Sequence, residues 1–374
     1  MTTVGVLRET ADHERRVALT PDAVRRLRER GTGVLVESEA GARAWFGDEQ
    51  YRAAGAELGD RDRVYAGSDV LTCLAPPADA DRLRRGQTLI GLLAPLAHPE
   101  PAGRLAAAGV TAISLDLLPR TLSRAQPMDA LTSQANVAGY KAAIVAAEAY
   151  GGYFPLLMTA AGTVRPAQVL VLGAGVAGLQ AIATARRLGA VVTGYDVRPQ
   201  ARADIVSTGA AVLEAGHPVA ASGDGYARAL TEQESAEQQR ALQAAVARFD
   251  VVITTAQVPG RRPPVLVPAA TLAAMRPGSV VVDLAAGPDG GNVEGSVAGT
   301  TALIGGVTLI AAGNLAATMP QAASTAYAKN LLALLAVLTP EPDLGDEIQA
   351  AVTVTHAGRV VHPAVRQLLE GAAL

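Results

Sequence analysis

The first 120 residues alternate between short apolar runs and longer segments with helical spacing. Short apolar runs bounded by turn residues are typical of buried strands. The segment Pro21–Arg30 is predicted to be a helix, with Thr20 as its N-cap and proline in its first turn. Strands alternating with helices predict a parallel sheet covered by helices. The predicted strands are Val4–Leu7, Val34–Glu37, Asp69–Leu74, Thr88–Leu93 and Thr111–Leu115.

A second strand–helix series lies in the middle of the chain, between two long alanine-rich helical patterns at Leu131–Tyr150 and Gln321–Leu338. The pattern predicts an α/β protein of two Rossmann-like domains with parallel sheets, joined by the two long helices. Residues 1–131 and 325–374 would form a discontinuous outer domain, and residues 132–324 a nucleotide-binding domain. Ligands of such folds bind at the carboxyl ends of the strands, so we expect the site in the inter-domain cleft. The strands of this series are Gln168–Leu172, Val191–Tyr195, Val251–Thr254, Ser279–Asp283 and Thr308–Ile310.

Composition narrows the function classes. The chain has 374 residues, 49% hydrophobic and 18% charged, with a net charge of −3, so long disorder and a nucleic-acid partner are not expected. A single cysteine, Cys73, excludes an intrachain disulfide and a cysteine-based metal site, and we expect no metal. The N-terminus lacks the apolar core of a signal peptide, and no run approaches the roughly 20 apolar residues of a membrane span. A soluble, cytoplasmic protein without direct membrane insertion is predicted.

A glycine motif follows the strand Gln168–Leu172. Gly173, Gly175 and Gly178 have G-x-G-x-x-G spacing, with Val176 and Ala177 between the last two, and a helical pattern follows. The first glycine permits the tight turn, the second lets the backbone approach a pyrophosphate, and the third lets helix and strand pack closely. The motif in this setting predicts a dinucleotide site at a helix N-terminus.

The next strand ends at Asp196, a little over twenty residues after Gly173. A carboxylate at this place accepts hydrogen bonds from the adenosine ribose and repels a 2′-phosphate, which favours NAD(H) over NADP(H). Val197 and Arg198 follow. Arg198 leaves NADP(H) open as the alternative cofactor, because an arginine can bind a 2′-phosphate. Further along, Gly225 and Tyr226 lie in a glycine-rich stretch that is either a mobile flap closing on the nucleotide or a surface linker.

Several motifs together resemble the NAD-binding component of the proton-translocating nicotinamide nucleotide transhydrogenases, a family that shares its superfamily with alanine dehydrogenase. The resemblance spans nearly the whole chain. It rests on Glu14–Pro21, Pro119–Tyr140, Met158–Thr163, the glycine motif through Arg198, Gly223–Ala227, Thr254–Gly260, Pro277–Leu284 and Val361–Pro363.

The resemblance implies that NAD(H) binds to this chain and exchanges a hydride with NADP(H) on a partner subunit, coupled to proton translocation. It implies membrane-embedded and NADP-binding partner subunits, a homodimer, and a peripheral location at the inner face of the cell membrane through those partners. Gln126 and Asp129 match the family's loop at the nicotinamide, and Thr132 stands where serine is usual. Arg120 is our choice for the loop's arginine and Arg124 the alternative. Tyr226 matches the family's mobile-loop tyrosine, and Gly225, Ala256 and Val258 are further expected contacts.

The rival interpretation is an alanine-like amino-acid dehydrogenase. Reducing an imine needs a cation for the carboxylate and a proton-transfer group near the reacting carbon. Arg16 matches the carboxylate-binding arginine but occurs in both families. The expected lysine is replaced at Cys73 and the expected histidine at Ala94, while His98 lies in a turn. The segment 313–320 also departs from the run Asn-Leu-Pro-Ser-Arg usual in the family, because the proline and arginine of that run are missing, which leaves a repurposed NAD-binding protein as a third possibility.

Overall fold

The computed structural model describes residues 2–215, 232–257, 262–338 and 341–371. The strands, numbered along the chain, are β1 (Thr3–Val6), β2 (Gly33–Glu37), β3 (Glu57–Gly59), β4 (Val70–Thr72), β5 (Thr88–Gly91), β6 (Thr111–Ser114), β7 (Leu157–Thr159), β8 (Gly162–Val164), β9 (Gln168–Leu172), β10 (Val191–Tyr195), β11 (Ala211–Val212), β12 (Val251–Thr254), β13 (Val280–Asp283), β14 (Thr300–Ile304), β15 (Val307–Ala311), β16 (Thr353–His356) and β17 (Arg359–Val360). The α-helices are α1 (Pro21–Glu29), α2 (Asp48–Ala53), α3 (Arg61–Gly67), α4 (Glu100–Ala107), α5 (Ala130–Ala149), α6 (Val176–Arg187), α7 (Ala201–Ser207), α8 (Glu232–Val246), α9 (Ala269–Ala274), α10 (Pro320–Leu335), α11 (Glu347–Val352) and α12 (Pro363–Gly371).

The chain divides into two compact units. Unit 1 comprises Met1–Gln134 and Ala316–Leu374, and unit 2 comprises Ala135–Leu315. Helix α5 begins in unit 1 and ends in unit 2, whereas α10 lies wholly in unit 1, because the chain re-enters that unit at Ala316.

Within its described residues, unit 1 contains an eight-stranded sheet in the order β17-β16-β6-β5-β4-β1-β2-β3. The five strands predicted in the first 120 residues pair in parallel, as expected, and β3, which was not predicted, pairs in parallel with β2. At one edge, β16 runs antiparallel to β6 and to β17, which the sequence did not predict. Helix α1 begins at Pro21, with the Thr20 hydroxyl accepting a hydrogen bond from the Ala23 N–H, which confirms the predicted cap.

Unit 2 contains a seven-stranded sheet among its described residues, in the order β11-β10-β9-β12-β13-β15-β14. The central strands are parallel and their apolar side chains are buried. Strand β14 is antiparallel to β15 and all five of its residues are exposed. An exposed strand lacks the apolar alternation from which a strand is predicted, which explains why β14 was missed.

Helix α5 reaches the start of α6 inside unit 2. A Cβ atom added to Gly139 of α5 would lie 2.1 Å from the carbonyl oxygen of Ala177 in the first turn of α6. Glycine at this position therefore allows the two helices to touch through their backbones. The contact sets the position of the N-terminus of α6.

Candidate functional site

The turn between β9 and α6, together with the first turn of α6, holds the three glycines of the dinucleotide motif. Gly173 has a φ of +98°, a left-handed conformation that favours glycine. A Cβ on Gly178 would lie 1.8 Å from the carbonyl oxygen of Gly173, so only glycine lets the helix pack this close to the strand. A Cβ on Gly175 would meet no atom within 4 Å. Gly175 therefore borders open space at the N-terminus of α6, where unpaired N–H groups can bind a pyrophosphate.

Asp196 lies directly after β10, next to this turn. Its Oδ2 accepts a hydrogen bond from the Ala174 N–H at 2.8 Å, which ties the carboxylate to the glycine turn. Arg198 contacts both carboxylate oxygens through its side chain, and its own N–H donates to Oδ1. The Asp196 side chain is 7% exposed. Burial alone would raise its pKa, but the hydrogen bonds from Arg198 and Ala174 outweigh burial and lower it, so the carboxylate is ionised.

The backbone after β12 completes the neighbourhood of the glycine turn. The Thr255 hydroxyl donates to the Gly173 carbonyl at 3.0 Å. The next residue, Ala256, is held by the fully buried Asn292, whose Oδ1 accepts from the Ala256 N–H at 2.9 Å and whose Nδ2 donates to the Ala256 carbonyl at 2.8 Å. Asn292 was missed from the sequence. Its only local signal is an asparagine in a glycine-rich loop, which ordinarily indicates a turn.

A buried carboxylate anchors the loop that carries Asn292. Asp283, at the end of β13, is fully buried and accepts hydrogen bonds from the Thr254 hydroxyl, the Ser296 hydroxyl and the Val293 N–H, at 2.9, 2.7 and 3.0 Å. Because its hydrogen bonds join two strand ends to the loop, Asp283 supports the position of Asn292 and, through it, of Ala256.

In unit 1, the residues of the predicted nicotinamide loop form a closed network. Arg120 Nε donates to Asp129 Oδ2 at 3.0 Å, and Arg120 Nη2 donates to the Thr132 hydroxyl at 2.7 Å. The Thr132 hydroxyl and N–H both donate to Asp129, at 2.6 and 2.8 Å. Arg120 and Asp129 therefore form an ion pair.

The alternative arginine points elsewhere. Arg124 Nη1 forms an ion pair with Asp346 Oδ2 at 2.7 Å, and Asp346 caps the N-terminus of α11. Gln126 lies in a 3₁₀ helix, Ser123–Met128, and is exposed. Within the described parts of the chain, its side chain makes no hydrogen bond, so the amide is accessible to a ligand. The structure thus brings Arg120, not Arg124, to Asp129 and Thr132.

Arg16 lies in a buried cluster of unit 1. Its Nε and Nη2 donate to Glu14 at 2.8 and 2.6 Å, and its Nη1 donates to Gln134 Oε1 at 2.7 Å. All three side-chain nitrogens of Arg16 therefore have a partner inside unit 1.

The positions matched to the proton-transfer groups of the dehydrogenases hold no usable acid. Cys73 is fully buried, which raises the pKa of its thiol well above the ordinary value. Ala94 has no titratable side chain, and its N–H donates to Asp116 Oδ2 at 2.8 Å. His98 is exposed, and its N–H donates to the Ala94 carbonyl, in keeping with the predicted turn.

The structure describes some of the remaining residues that were predicted to contact the cofactor. Val176 and Ala177 form the first turn of α6, and Val197 is 69% exposed beside Asp196. Gly225, Tyr226 and Val258 lie outside the described residues. In the described ranges, no cluster of three or more histidine, cysteine, aspartate or glutamate side chains could hold a metal ion. Of the helices that the structure describes, none has the length and apolar character needed to cross a membrane.

Known proteins share both halves of this arrangement. The family model described as alanine dehydrogenase/PNT, N-terminal domain, matches residues 5–138, and that of the C-terminal domain matches residues 142–363. NAD(P) transhydrogenase subunit alpha from Cereibacter sphaeroides is 40% identical over 374 residues, covering 96% of this chain and 71% of the relative.

Solved structures agree with the sequence comparison. A transhydrogenase from Sinorhizobium meliloti is 40% identical with a TM-score of 0.84, covering 97% of this chain and 99% of its own. An L-alanine dehydrogenase is 29% identical with a TM-score of 0.82, covering 99% of both chains. The chain belongs to the alanine dehydrogenase/PNT family of oxidoreductases.

Proposed function

We propose that this chain is the NAD(H)-binding component of a nicotinamide nucleotide transhydrogenase. It would exchange a hydride between NAD(H) bound here and NADP(H) bound to a partner subunit. One observation carries the proposal: in unit 2, a glycine turn open at Gly175 is hydrogen-bonded to an ionised carboxylate, Asp196. That pair of features suits a pyrophosphate beside a ribose without a 2′-phosphate.

In unit 2, the first turn of α6 would bind the pyrophosphate and Asp196 the adenosine ribose. Ala256, held in place by Asn292, would present backbone to the dinucleotide. We retain Gly225, Tyr226 and Val258 as proposed contacts on the strength of the sequence resemblance. We also propose that the two domains meet in the chain at residues 131/132 and 324/325.

In unit 1, Gln126 would orient the nicotinamide through its accessible amide. The network of Arg120, Asp129 and Thr132 would fix the loop that carries Gln126, because it joins the start of the loop to the first turn of α5. Arg120 is thus a positioning residue in this proposal, and Gln126 is the group that touches the substrate.

The chemistry needs little from the protein beyond alignment. A hydride moves from C4 of one dihydronicotinamide to C4 of the other, oxidised nicotinamide, so one dinucleotide is oxidised and the other reduced. No proton leaves or enters with the hydride, and a general acid is therefore unnecessary. The rate depends on holding the two rings close and aligned. Cys73 and Ala94 are compatible with such a reaction because neither has to transfer a proton.

The partners follow from the same proposal. Relatives are named as alpha subunits, which favours further subunits that bind NADP(H) and translocate protons across a membrane. We propose that this chain forms a homodimer and lies at the inner face of the cell membrane through those membrane-embedded partners.

An alanine-like dehydrogenase is the second candidate, favoured by the shared fold and by Arg16. Two features oppose it. The guanidinium of Arg16 already pairs with Glu14 and Gln134, and the proton-transfer positions hold a buried thiol and an alanine.

Activity assays separate the two candidates. Alone, the protein should neither oxidise alanine with NAD⁺ nor reduce pyruvate with ammonia and NADH. With the NADP-binding subunit from the same organism added, NADPH should reduce a spectrally distinct analogue of NAD⁺. Gln126→Ala should slow that transfer about tenfold or more while changing the Kd for NADH less than threefold, because its role is orientation. Rapid amino-acid-dependent NADH formation, or no transfer with a partner that demonstrably binds, would refute the proposal.

A further inference from the structure

The carboxylate of Asp196 is fully occupied by donors. Oδ1 accepts from the Arg198 N–H at 2.9 Å and from Arg198 Nε at 3.0 Å. Oδ2 accepts from the Ala174 N–H at 2.8 Å and from Arg198 Nη2 at 2.9 Å. A carboxylate has about four lone-pair positions, so these four donors leave none for a ligand.

The donors fall into two kinds. Each oxygen accepts one backbone N–H, which the turn holds in place, and one guanidinium nitrogen of Arg198. If the guanidinium moves away, one lone pair becomes free on each oxygen while the carboxylate stays fixed by its backbone donors. Two adjacent acceptors are what the 2′- and 3′-hydroxyls of a ribose need.

We propose that Arg198 is a specificity-determining residue that competes with the ribose for Asp196. The inference rests on the proposed function, since it takes Asp196 as the ribose acceptor. NAD(H) binding displaces the guanidinium from the carboxylate. Arg198 thereby weakens the binding of the preferred dinucleotide.

Displacement is easy because the Arg198 side chain is 61% exposed. The pair is exposed at its guanidinium end only, and there water can replace the contacts that Arg198 loses. The released guanidinium stays close to the ribose, because Arg198 is only two residues from Asp196 in the chain. There it would attract a 2′-phosphate that Asp196 repels. Arg198 therefore weakens the binding of NAD(H) and strengthens the binding of NADP(H). Both effects reduce the preference of the site for NAD(H).

The test is a pair of titrations with NADH and with NADPH, on the wild type and on Arg198→Ala. The Kd for NADH should fall up to about fivefold in the variant, because no ion pair has to be broken. The Kd for NADPH should rise about five- to tenfold, because the cation beside the 2′-phosphate is gone. Arg198→Lys, which keeps the charge but not the two-pronged contact, should lie between the wild type and Arg198→Ala for both ligands.

Arg202→Ala is the matched control. Arg202 is also an exposed arginine of unit 2 in an ion pair, with Glu214 at 3.1 Å, and its removal should leave both Kd values within twofold. If the wild type binds NADH but Arg198→Ala leaves both Kd values unchanged, or weakens NADH and NADPH alike, the inference is wrong and the proposed function stands. If the wild type fails to bind NADH or prefers NADPH, the proposed function itself is wrong and the inference falls with it.

Discussion

Two partly buried carboxylates, Glu9 in unit 1 and Asp196 in unit 2, respond to burial in opposite ways. Glu9 accepts a hydrogen bond from the Leu74 N–H at 2.5 Å and lines a cavity of about 230 Å³ with Cys73 and Arg61. Burial raises the pKa of Glu9 to about 7, and the nearby Glu14 carboxylate adds to the rise. Asp196 has a lowered pKa, because a guanidinium and two backbone N–H groups outweigh its burial.

The difference lies in the cations within reach. Arg16 lies near Glu9 but is paired with Glu14, and in the described ranges no side chain forms an ion pair with Glu9. Desolvation is then the dominant influence on the pKa of Glu9, and this carboxyl group titrates near neutral pH. Asp196, whose pKa is lowered, is ionised at neutral pH. Burial alone therefore does not distinguish the two carboxylates, because both are partly buried. The hydrogen-bond donors and cations around each carboxylate do distinguish them.

The largest effect should come from a third carboxylate, Asp129, which has an arginine partner as Asp196 does but lies in unit 1 with Glu9. Asp129→Ala removes the acceptor of Arg120 and of both Thr132 donors, and the loop carrying Gln126 loses its anchor. Hydride transfer should fall about a hundredfold. The free energy of unfolding should fall by only about 1–2 kcal/mol. Steady-state assays and thermal melts measure the two effects.

Arg63→Ala is the control for Asp129→Ala, because it breaks an exposed ion pair of the same unit, with Glu57 at 2.7 Å. Its transfer rate should match the wild type. An Asp129→Ala variant with wild-type transfer would show that the network is purely structural.

Asp196→Asn should have the next largest effect and tests the unit 2 side of the comparison. The amide oxygen can still accept from Ala174, but the charge is lost. The Kd for NADH should rise about tenfold, equivalent to about 1.4 kcal/mol, and NADPH should bind tighter than to the wild type because repulsion is removed. Calorimetric titration with both nucleotides measures the change. Equal weakening of both nucleotides would mean that Asp196 only holds the turn.

The effect expected of Glu9→Gln is on stability, and it depends on pH. Below pH 4.5, the ordinary pKa of glutamate, Glu9 is protonated in the folded and unfolded chains alike. Between pH 4.5 and about 7 the unfolded chain ionises Glu9 and the folded chain does not, so the stability of the wild type falls as the pH rises. The variant avoids this loss. It should gain about 1–3 kcal/mol over the wild type at pH 8 relative to the difference at pH 4. Chemical denaturation at both pH values measures it, and a pH-independent difference would contradict the raised pKa.

Local patterns in the sequence predicted the central strands, the cap at Thr20 and the glycine turn. Each depends on residues that are close together in the chain, such as Gly173 and Gly178, whose spacing itself encodes the contact. The ion pair of Arg120 and Asp129 was also predictable, since the two residues are only nine positions apart in the chain. The edge strands β14 and β17 were not, because short or exposed strands have little apolar pattern, and neither was β16, which contains a single apolar residue, Val354.

Contacts between distant segments escaped prediction altogether. Asn292 reaches Ala256 across 36 residues, and nothing near either residue indicates the other. The occupation of Asp196 was missed for another reason. Arg198 was recognised as a possible phosphate ligand, but which lone pairs of the carboxylate it fills depends on side-chain geometry that the sequence does not encode.

The close approach of Gly139 to Ala177 extends the vulnerable region of the nucleotide site well beyond the motif. Even a single methyl group at Gly139 would collide with the backbone of the first turn of α6 and push it out of line. Such a chain would still carry all three glycines and Asp196, and a motif search would rank it as intact. Inherited or engineered variants of this protein can therefore lose nucleotide binding through a residue of α5 that lies outside the glycine motif.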